Sequence, residues 1–332
     1  MHRAEEQPGV RVSVDTGTRL HLGFTNLGSD LGRSWGSLGV AIDRPSVGIL
    51  LEEGVDRLEV VGGDREFVRA VADRFSEAFG VRPAVRITFR ESITEHVGLG
   101  SGTQLALAIG TGLAAVCGLD IDTPELAAAF RRGRRSGIGV AAFRTGGFML
   151  DAGVRAGASS QASVPTVVWR HDLPADWCFV IAVPEGTNGL SGQREDGVFA
   201  TLAPSAHISE EVCRITQLQL MPALVENDIA AFGHALTAVD QRTGRYFTPS
   251  QGGLYSHSET TTTVAEMLRL GAHGAGQSSW GPAVYAVVHA DDAPVFRASL
   301  RAFLGERGWG DQVLVCRGRN TGASVHVEPE TL

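Results

Sequence analysis

Apolar and polar positions alternate at the start of the chain. Val10 to Val14 reads as a strand, and Arg19-Leu20-His21-Leu22-Gly23-Phe24 alternates again. Side chains two apart share a strand face, so Arg19 and His21 point the same way, as a ligand wall or as an exposed face. Val40 to Ile42, Val47 to Leu51 and Leu58 to Val61 read as further strands. Between Asp64 and Phe79 the apolar residues Phe67, Val68, Val71, Phe75 and Phe79 recur at helical spacing, and Gly80 closes the helix. Ala84 to Phe89 is a strand that leads into a glycine-rich loop. Leu105 to Cys117 is apolar or small on every face, which predicts a buried helix beginning at about Thr103.

A further helix start is written in Asp122-Thr123-Pro124-Glu125, with Thr123 as N-cap and Pro124 in the first helical position, running to about Gly133. The run from Arg144 to Asp151 reads as a turn and a strand. Residues 152–166 are rich in Ala, Gly and Ser and read as a loop. Trp177 to Val183 is a buried strand, and the polar loop Pro184 to Gly197 follows it. Helices are expected over 207–221, 223–238 and 256–270. After them come a second glycine-rich turn (Gly274 to Gly281), a strand (Ala283 to His289), a helix over 293–306, and strands at Val313 to Cys316 and Ser324 to Val327. That tail fits the βαββ half of a split βαβ module. The pattern predicts an α+β protein of two domains, 1–165 and 166–332.

The 332 residues suffice for two domains and a large core. A net charge of −8 argues against a general nucleic-acid or membrane-surface binder. The run Arg131, Arg132, Arg134, Arg135 reads as a solvated helix face or a meeting point for an anionic substrate. Cys117, Cys178, Cys213 and Cys316 are far apart, each in an apolar segment. Reduced core thiols in a cytoplasmic protein are therefore expected. The polar first nine residues do not read as a signal peptide, and no apolar run reads as membrane-spanning.

Candidate chemistry centres on Gly98-Leu99-Gly100-Ser101-Gly102-Thr103-Gln104. Glycines let backbone N–H groups approach a ligand closely. The following helix adds unpaired N–H groups and the positive end of its dipole, which together predict a phosphate site. The loop is not a P-loop, because that motif needs Lys and all 29 basic residues here are Arg. It is not a dinucleotide fingerprint either, because the spacing is Gly-x-Gly-x-Gly.

These pieces, in this order, resemble the GHMP kinase superfamily. Gly98-Leu99-Gly100-Ser101-Gly102 is similar to its second motif, Gly274-Ala275-Gly276-Gln277 to its third, and Arg19 to Asn26 to its first. The resemblance implies an N-terminal ribosomal S5-like α+β domain with a left-handed βαβ unit, packed on a C-terminal ferredoxin-like domain. Kinase members commonly carry Ser-Gly-x-Asp after the second motif, the Asp serving as base. This chain has Ser136-Gly137-Ile138-Gly139. Glu95-His96-Val97 with the glycine loop, Arg135 to Gly139, Thr145 to Phe148 and Gly276-Gln277-Ser278-Ser279-Trp280-Gly281-Pro282 instead resemble the β-ribofuranosylaminobenzene 5'-phosphate synthase branch.

That resemblance implies a reaction in tetrahydromethanopterin biosynthesis. Phosphoribosyl pyrophosphate condenses with 4-aminobenzoate or 4-hydroxybenzoate, with loss of CO₂ and pyrophosphate. It implies Mg²⁺ held by Ser101 and Glu95, pyrophosphate on Gly98 to Gln104, and a homodimer. Arg19, Arg33, Arg144 and Arg194 become candidate phosphate and carboxylate clamps, since Arg binds both in bidentate fashion. Arg19, His21, Arg144 and Glu195 are the catalytic candidates, with Glu195 a second metal candidate. Arg33, Arg194, Gly276, Gln277, Ser278, Ser279 and Trp280 are the substrate-binding ones. His21 is a partner for the aromatic acid or a structural histidine, and Trp280 stacks on the aryl ring or fills the core. An ATP-dependent small-molecule kinase and a non-catalytic ligand-binding member are the alternatives.

Overall fold

A computed structural model describes residues 9–28, 31–91, 98–155, 164–183, 197–199, 201–310 and 312–329. The two alternating segments at the N-terminus form one strand, β1 (Val10–Phe24). β2 (Arg33–Ser34) follows, then the long β3 (Ser37–Glu52), β4 (Glu59–Val61), helix α1 (Arg65–Phe79) and β5 (Arg86–Glu91). The sequence splits β1 and β3 in two because their pairing shifts register between Thr16 and Thr18, where the apolar alternation lapses. That irregularity also separates two cores. Val12 and Val14 pack with α1 and the helix after the glycine loop. Leu20 and Leu22 pack into the core shared with the second sheet.

The buried helix is α2 (Ser101–Val116), which starts two residues earlier than the sequence suggests. Leu105, Leu107, Ile109 and Leu113 are buried in it. Each such side chain contributes about 1.5–3 kcal/mol on burial, so α2 is firmly seated. α3 (Thr123–Ala129) is capped by Asp122, not by Thr123. The Asp122 carboxylate accepts from Glu125 N (2.8 Å), and the Glu125 side chain answers as a capping box. Between Arg135 and Gly147 the chain forms a helix that the sequence reading did not expect, α4 (Ile138–Arg144). Its entry is fixed by buried Asp151, whose carboxylate accepts from Gly137 N (2.7 Å), Ser37 N (3.1 Å) and Gly153 N (2.8 Å).

β6 (Phe148–Asp151), β7 (Val154–Arg155), β8 (Val167–His171) and β9 (Trp177–Ala182) follow. Then come α5 (Ala206–Ile215), a π-helical turn over Thr216–Leu220, α6 (Met221–Val225), α7 (Ile229–Gln251) and α8 (Ser258–Arg269). The chain closes with β10 (Gly274–Gln277), β11 (Val284–His289), α9 (Ala293–Gly305), β12 (Val313–Arg317) and β13 (Ser324–Pro329).

Among the described residues, seven strands form one sheet, with the path β13-β1-β3-β5-β4 and with β6 and β8 joined through β3. β4 and β5 are parallel, with α1 between them, so they form a βαβ unit. The other sheet has the order β10-β11-β9-β12, with neighbours antiparallel. In chain order this is a βαββαβ arrangement of ferredoxin type.

The last strand departs from expectation. β13 does not complete the C-terminal module but pairs with β1, from Val10 against Pro329 to Asp15 against Ser324. β8 also joins the larger sheet, so that sheet takes strands from both sides of the 165/166 boundary expected from sequence. Alternation marks these residues as strands but carries no record of which sheet edge they meet.

Of the cysteines expected in the core, Cys178 and Cys316 are buried, whereas Cys117 is half-buried and Cys213 exposed; all four are free. Among the described residues no helix is long and apolar enough to cross a membrane.

Candidate active site

The three glycine-bearing motifs meet at one place. Arg19 on β1 donates through Nη1 to the Gly98 carbonyl (2.6 Å), and its own N–H donates to the Leu99 carbonyl (3.1 Å). The Ser278 hydroxyl donates to the same Gly98 carbonyl (2.9 Å) and accepts from His21 N (3.1 Å). Ser279 N then donates to the His21 carbonyl (3.1 Å). β1, the glycine loop and the turn after β10 are thus laced together by backbone-directed bonds.

The loop geometry requires glycine at two points. Gly98 has φ of 88°, and a Cβ there would lie 2.7 Å from the Ser278 carbonyl oxygen. Gly100 has φ of 73°, and a Cβ there would lie 3.0 Å from the Arg19 guanidinium carbon. Gly100 precedes α2 with no side-chain cap, so the first amides of the helix are open to a ligand. A Cβ at Gly102 would lie 3.6 Å from Arg132 Nη1. Two guanidiniums therefore flank a helix N-terminus that already favours anions. Arg132 belongs to the arginine run read from sequence as a solvated face or an anion contact, and it reaches the loop because α3 packs against α2.

Other residues in the same motifs act inside the protein. Gln104 was expected to bind phosphate, yet it is fully buried. Its amide donates to the Gly139 carbonyl (2.7 Å) and accepts from Thr16 Oγ1 (2.9 Å). Leu99 sends its side chain into the shared core. Thr103 faces Gly139, where a Cβ would lie 3.3 Å from the Thr103 methyl. A carboxylate at 139 would therefore stand beside the glycine loop.

Ser278, a substrate candidate on sequence, is fully buried and clasps Gly98 to His21. Gln277 is also engaged internally, its side-chain oxygen accepting from Ser256 N (3.0 Å) and its amide donating to the Ser279 carbonyl (2.9 Å). Gly276 leaves room for Asp240, whose carboxyl carbon would lie 2.5 Å from a Cβ there.

Arg144 does not join the junction. It lies at the far end of α4 from Gly139, about 7.5 Å along the helix axis, exposed in a separate depression with Thr145 and Arg170. Arg33 sits on the two-stranded β2/β7 ribbon and donates to the Gly153 carbonyl (3.1 Å). Glu95, Arg194 and Glu195 lie outside the described residues. Trp280 is buried in an aromatic cluster with Phe24 and Phe247, its ring 4.6 Å from that of Phe247.

His21, Phe24, Asp240, Thr243, Phe247 and Trp280 line a small cavity beside the junction. His21 is buried, and desolvation followed by the charge of Arg19 pushes its pKa down to about 3, so the ring is neutral. Asp240 on α7 accepts from Tyr255 Oη (2.7 Å) and Gln277 N (2.9 Å). Burial nonetheless raises its pKa to about 7, against the lowering effect of those two bonds. Sequence reading missed Asp240, because a single carboxylate inside a helix carries no motif; its seven-residue separation from Phe247 on one helix face is the only hint.

Residues 66–147 match the GHMP kinases N terminal domain, and residues 220–306 match GHMP kinases C terminal. The chain belongs to the GHMP kinase family. Within it, the chain is 34% identical to the β-ribofuranosylphenol 5'-phosphate synthase of Methanothermobacter thermautotrophicus, over 95% of this chain and 98% of that one. The synthase of the same name from Archaeoglobus fulgidus is 30% identical, over 94% and 98%. Among solved structures, a homoserine kinase from Cytophaga hutchinsonii superposes with a TM-score of 0.67 at 19% identity, covering 98% of this chain and all (100%) of that one. Lactococcus lactis galactokinase complexed with galactose superposes with a TM-score of 0.69 at 14% identity, covering 95% of each. These structural likenesses concern the fold.

Proposed function

We propose that the chain is a β-ribofuranosylphenol 5'-phosphate synthase, a decarboxylating phosphoribosyltransferase. It condenses phosphoribosyl pyrophosphate with 4-hydroxybenzoate and releases CO₂ and pyrophosphate, in the cytoplasmic synthesis of tetrahydromethanopterin for one-carbon metabolism. The observation that carries the reading is Arg19 seated over the glycine loop at the uncapped start of α2, with Arg132 on the other side. The names of the full-length relatives support the same reaction. The donor is a diphosphate, and its departure is the charge-developing step that preorganised N–H groups and guanidiniums stabilise.

Gly139 favours this reading over a kinase. Phosphoryl transfer to an alcohol gains from a base beside the phosphate, whereas attack by an aromatic carbon on an oxocarbenium-like ribose does not require one there. Holding ring and ribose in line is the larger task.

Mg²⁺ suits this donor set, because it takes oxygen ligands, keeps waters and commonly rides on substrate phosphates. The Ser101 hydroxyl at the head of α2 would be its protein contact here, and the ion would neutralise the leaving diphosphate. Glu95 and Glu195, the carboxylates proposed to join it, lie outside the described residues. A homodimer is part of the proposal.

The test uses purified protein, Mg²⁺, phosphoribosyl pyrophosphate and carboxyl-labelled 4-hydroxybenzoate, with CO₂ and pyrophosphate followed together. Equal release that is abolished in Gly100→Val and reduced in Ser101→Ala is expected. ADP formation from ATP with small alcohols, and no CO₂ from either aromatic acid, would overturn it.

A further inference from the structure

The small cavity between β1 and α7 holds buried polar groups that the phosphate site does not use. His21 Nε2 and Thr243 Oγ1 are both buried with no hydrogen-bond partner among the described residues. Both line the cavity, together with Asp240 and the rings of Phe24, Phe247 and Trp280. An unpaired buried polar atom is costly, so such a pair marks a place where a polar group is received. The free space is about 30 Å³, room for one water or one polar substituent but not for an aromatic ring.

The cavity and the glycine loop are contacted from the same strand face: Arg19, which meets the loop, and His21, which lines the cavity, are two residues apart on β1, about 7 Å along the strand. In the proposed reaction the ring carbon that carries the carboxylate bonds to ribose. The para substituent therefore points away from the donor.

We propose that this cavity receives the para-hydroxyl of the aromatic acid, with His21 Nε2 donating to its oxygen and the Asp240 carboxylate taking its proton. The inference rests on the synthase reading and assigns that site's acceptor end. As the ring carbon bonds to ribose C1, the C1–O bond breaks and its electron pair leaves with pyrophosphate. The hydroxyl proton passes to Asp240, so the ring becomes a neutral dienone instead of a cation. The bond to the carboxylate then breaks, CO₂ leaves, its electron pair restores the aromatic ring, and the oxygen retakes the proton from Asp240. Tyr255 and the Gln277 amide hold the carboxylate in place for both transfers. A neutral His21 is suited to this task, because it donates without adding a second cation beside Arg19. An aromatic amine accepts hydrogen bonds poorly, so the cavity favours 4-hydroxybenzoate over 4-aminobenzoate.

The experiment compares both acids with the full-length wild type, His21→Phe and Asp240→Asn, reading CO₂ and pyrophosphate, with circular dichroism to check folding. His21→Phe is expected to raise KM for 4-hydroxybenzoate about tenfold and to erase the preference for it, leaving KM for phosphoribosyl pyrophosphate within about twofold. Asp240→Asn is expected to lower kcat about 100-fold with little change in either KM. Thr243→Val, which keeps the shape, gives a milder rise in the acid's KM and serves if Asp240→Asn does not fold. Turnover by wild type with the acid's KM, kcat and preference unchanged in the variants overturns the cavity assignment alone. Equal losses toward both substrates do the same, since they indicate a structural role. No turnover by wild type overturns the synthase reading and this assignment with it.

Discussion

The Ser278 hydroxyl donates to the Gly98 carbonyl across 2.9 Å, joining residues 180 positions apart in the chain. That bond ties the turn after β10 to the loop before α2, and the Arg19 guanidinium lands on the same carbonyl. The proposed diphosphate site therefore draws on both halves of the chain, and loosening the clasp should loosen the site.

Ser278→Ala removes the donor to Gly98 and leaves His21 N–H without its acceptor. A loss of about 1–3 kcal/mol in stability is expected. The KM for phosphoribosyl pyrophosphate should rise with kcat less affected, as read by denaturant unfolding and steady-state kinetics on the same preparation.

Gly100→Ala places a Cβ at positive φ, 3.0 Å from the Arg19 guanidinium. Strain of this kind costs about 1–3 kcal/mol. Pyrophosphate release should fall much further than stability does, because the guanidinium must move. Wild-type activity in this variant would show that Arg19 is not held over the loop during turnover.

Arg19→Lys keeps the charge but loses the planar fork. kcat/KM for phosphoribosyl pyrophosphate should fall about 100-fold, the scale of one lost donor to a developing anion. Full activity with Lys would mean that charge alone suffices at this position.

Gly139→Asp places a carboxylate beside the glycine loop. Here it would stand against Thr103 and repel an incoming diphosphate. Loss of CO₂ release without any gain of ADP formation from ATP is expected, measured by coupled assays for both products.

Asp240 makes stability pH-dependent with a defined sign. Its folded pKa, about 7, lies above the ordinary carboxylate value, so the folded state favours the protonated form. The contribution is complete below about pH 4 and is lost as pH rises through 7. Tyr255, Tyr285 and neutral His21 face the same space and remain uncharged across that range. Asp240→Asn should flatten the stability profile between pH 4 and 8 in chemical unfolding, whereas an unchanged profile would assign the dependence to another group.

Local patterning along the chain was enough to place most of the elements and to single out the glycine loop. Periodicity placed α1 to within a residue. The apolar run after Gly102 placed α2, because a helix apolar on every face can only be buried. Gly98, Gly100 and Gly102 signalled a close backbone approach, since that requirement is local; the groups that come close are Ser278, Arg19 and Arg132. Gly139, in the place where kinase members commonly carry Asp, weighed against a kinase on chemistry alone. Long-range packing sets which residues meet. It sent β13 back to β1, turned Gln104 and Ser278 inward, and carried Arg144 to the wrong end of α4 for the loop. It also brought Arg132 to Gly102 and set Asp240 beside His21. Period and composition report which face of an element is apolar. They do not report which distant element covers that face, and catalytic geometry depends on contacts between residues far apart in sequence.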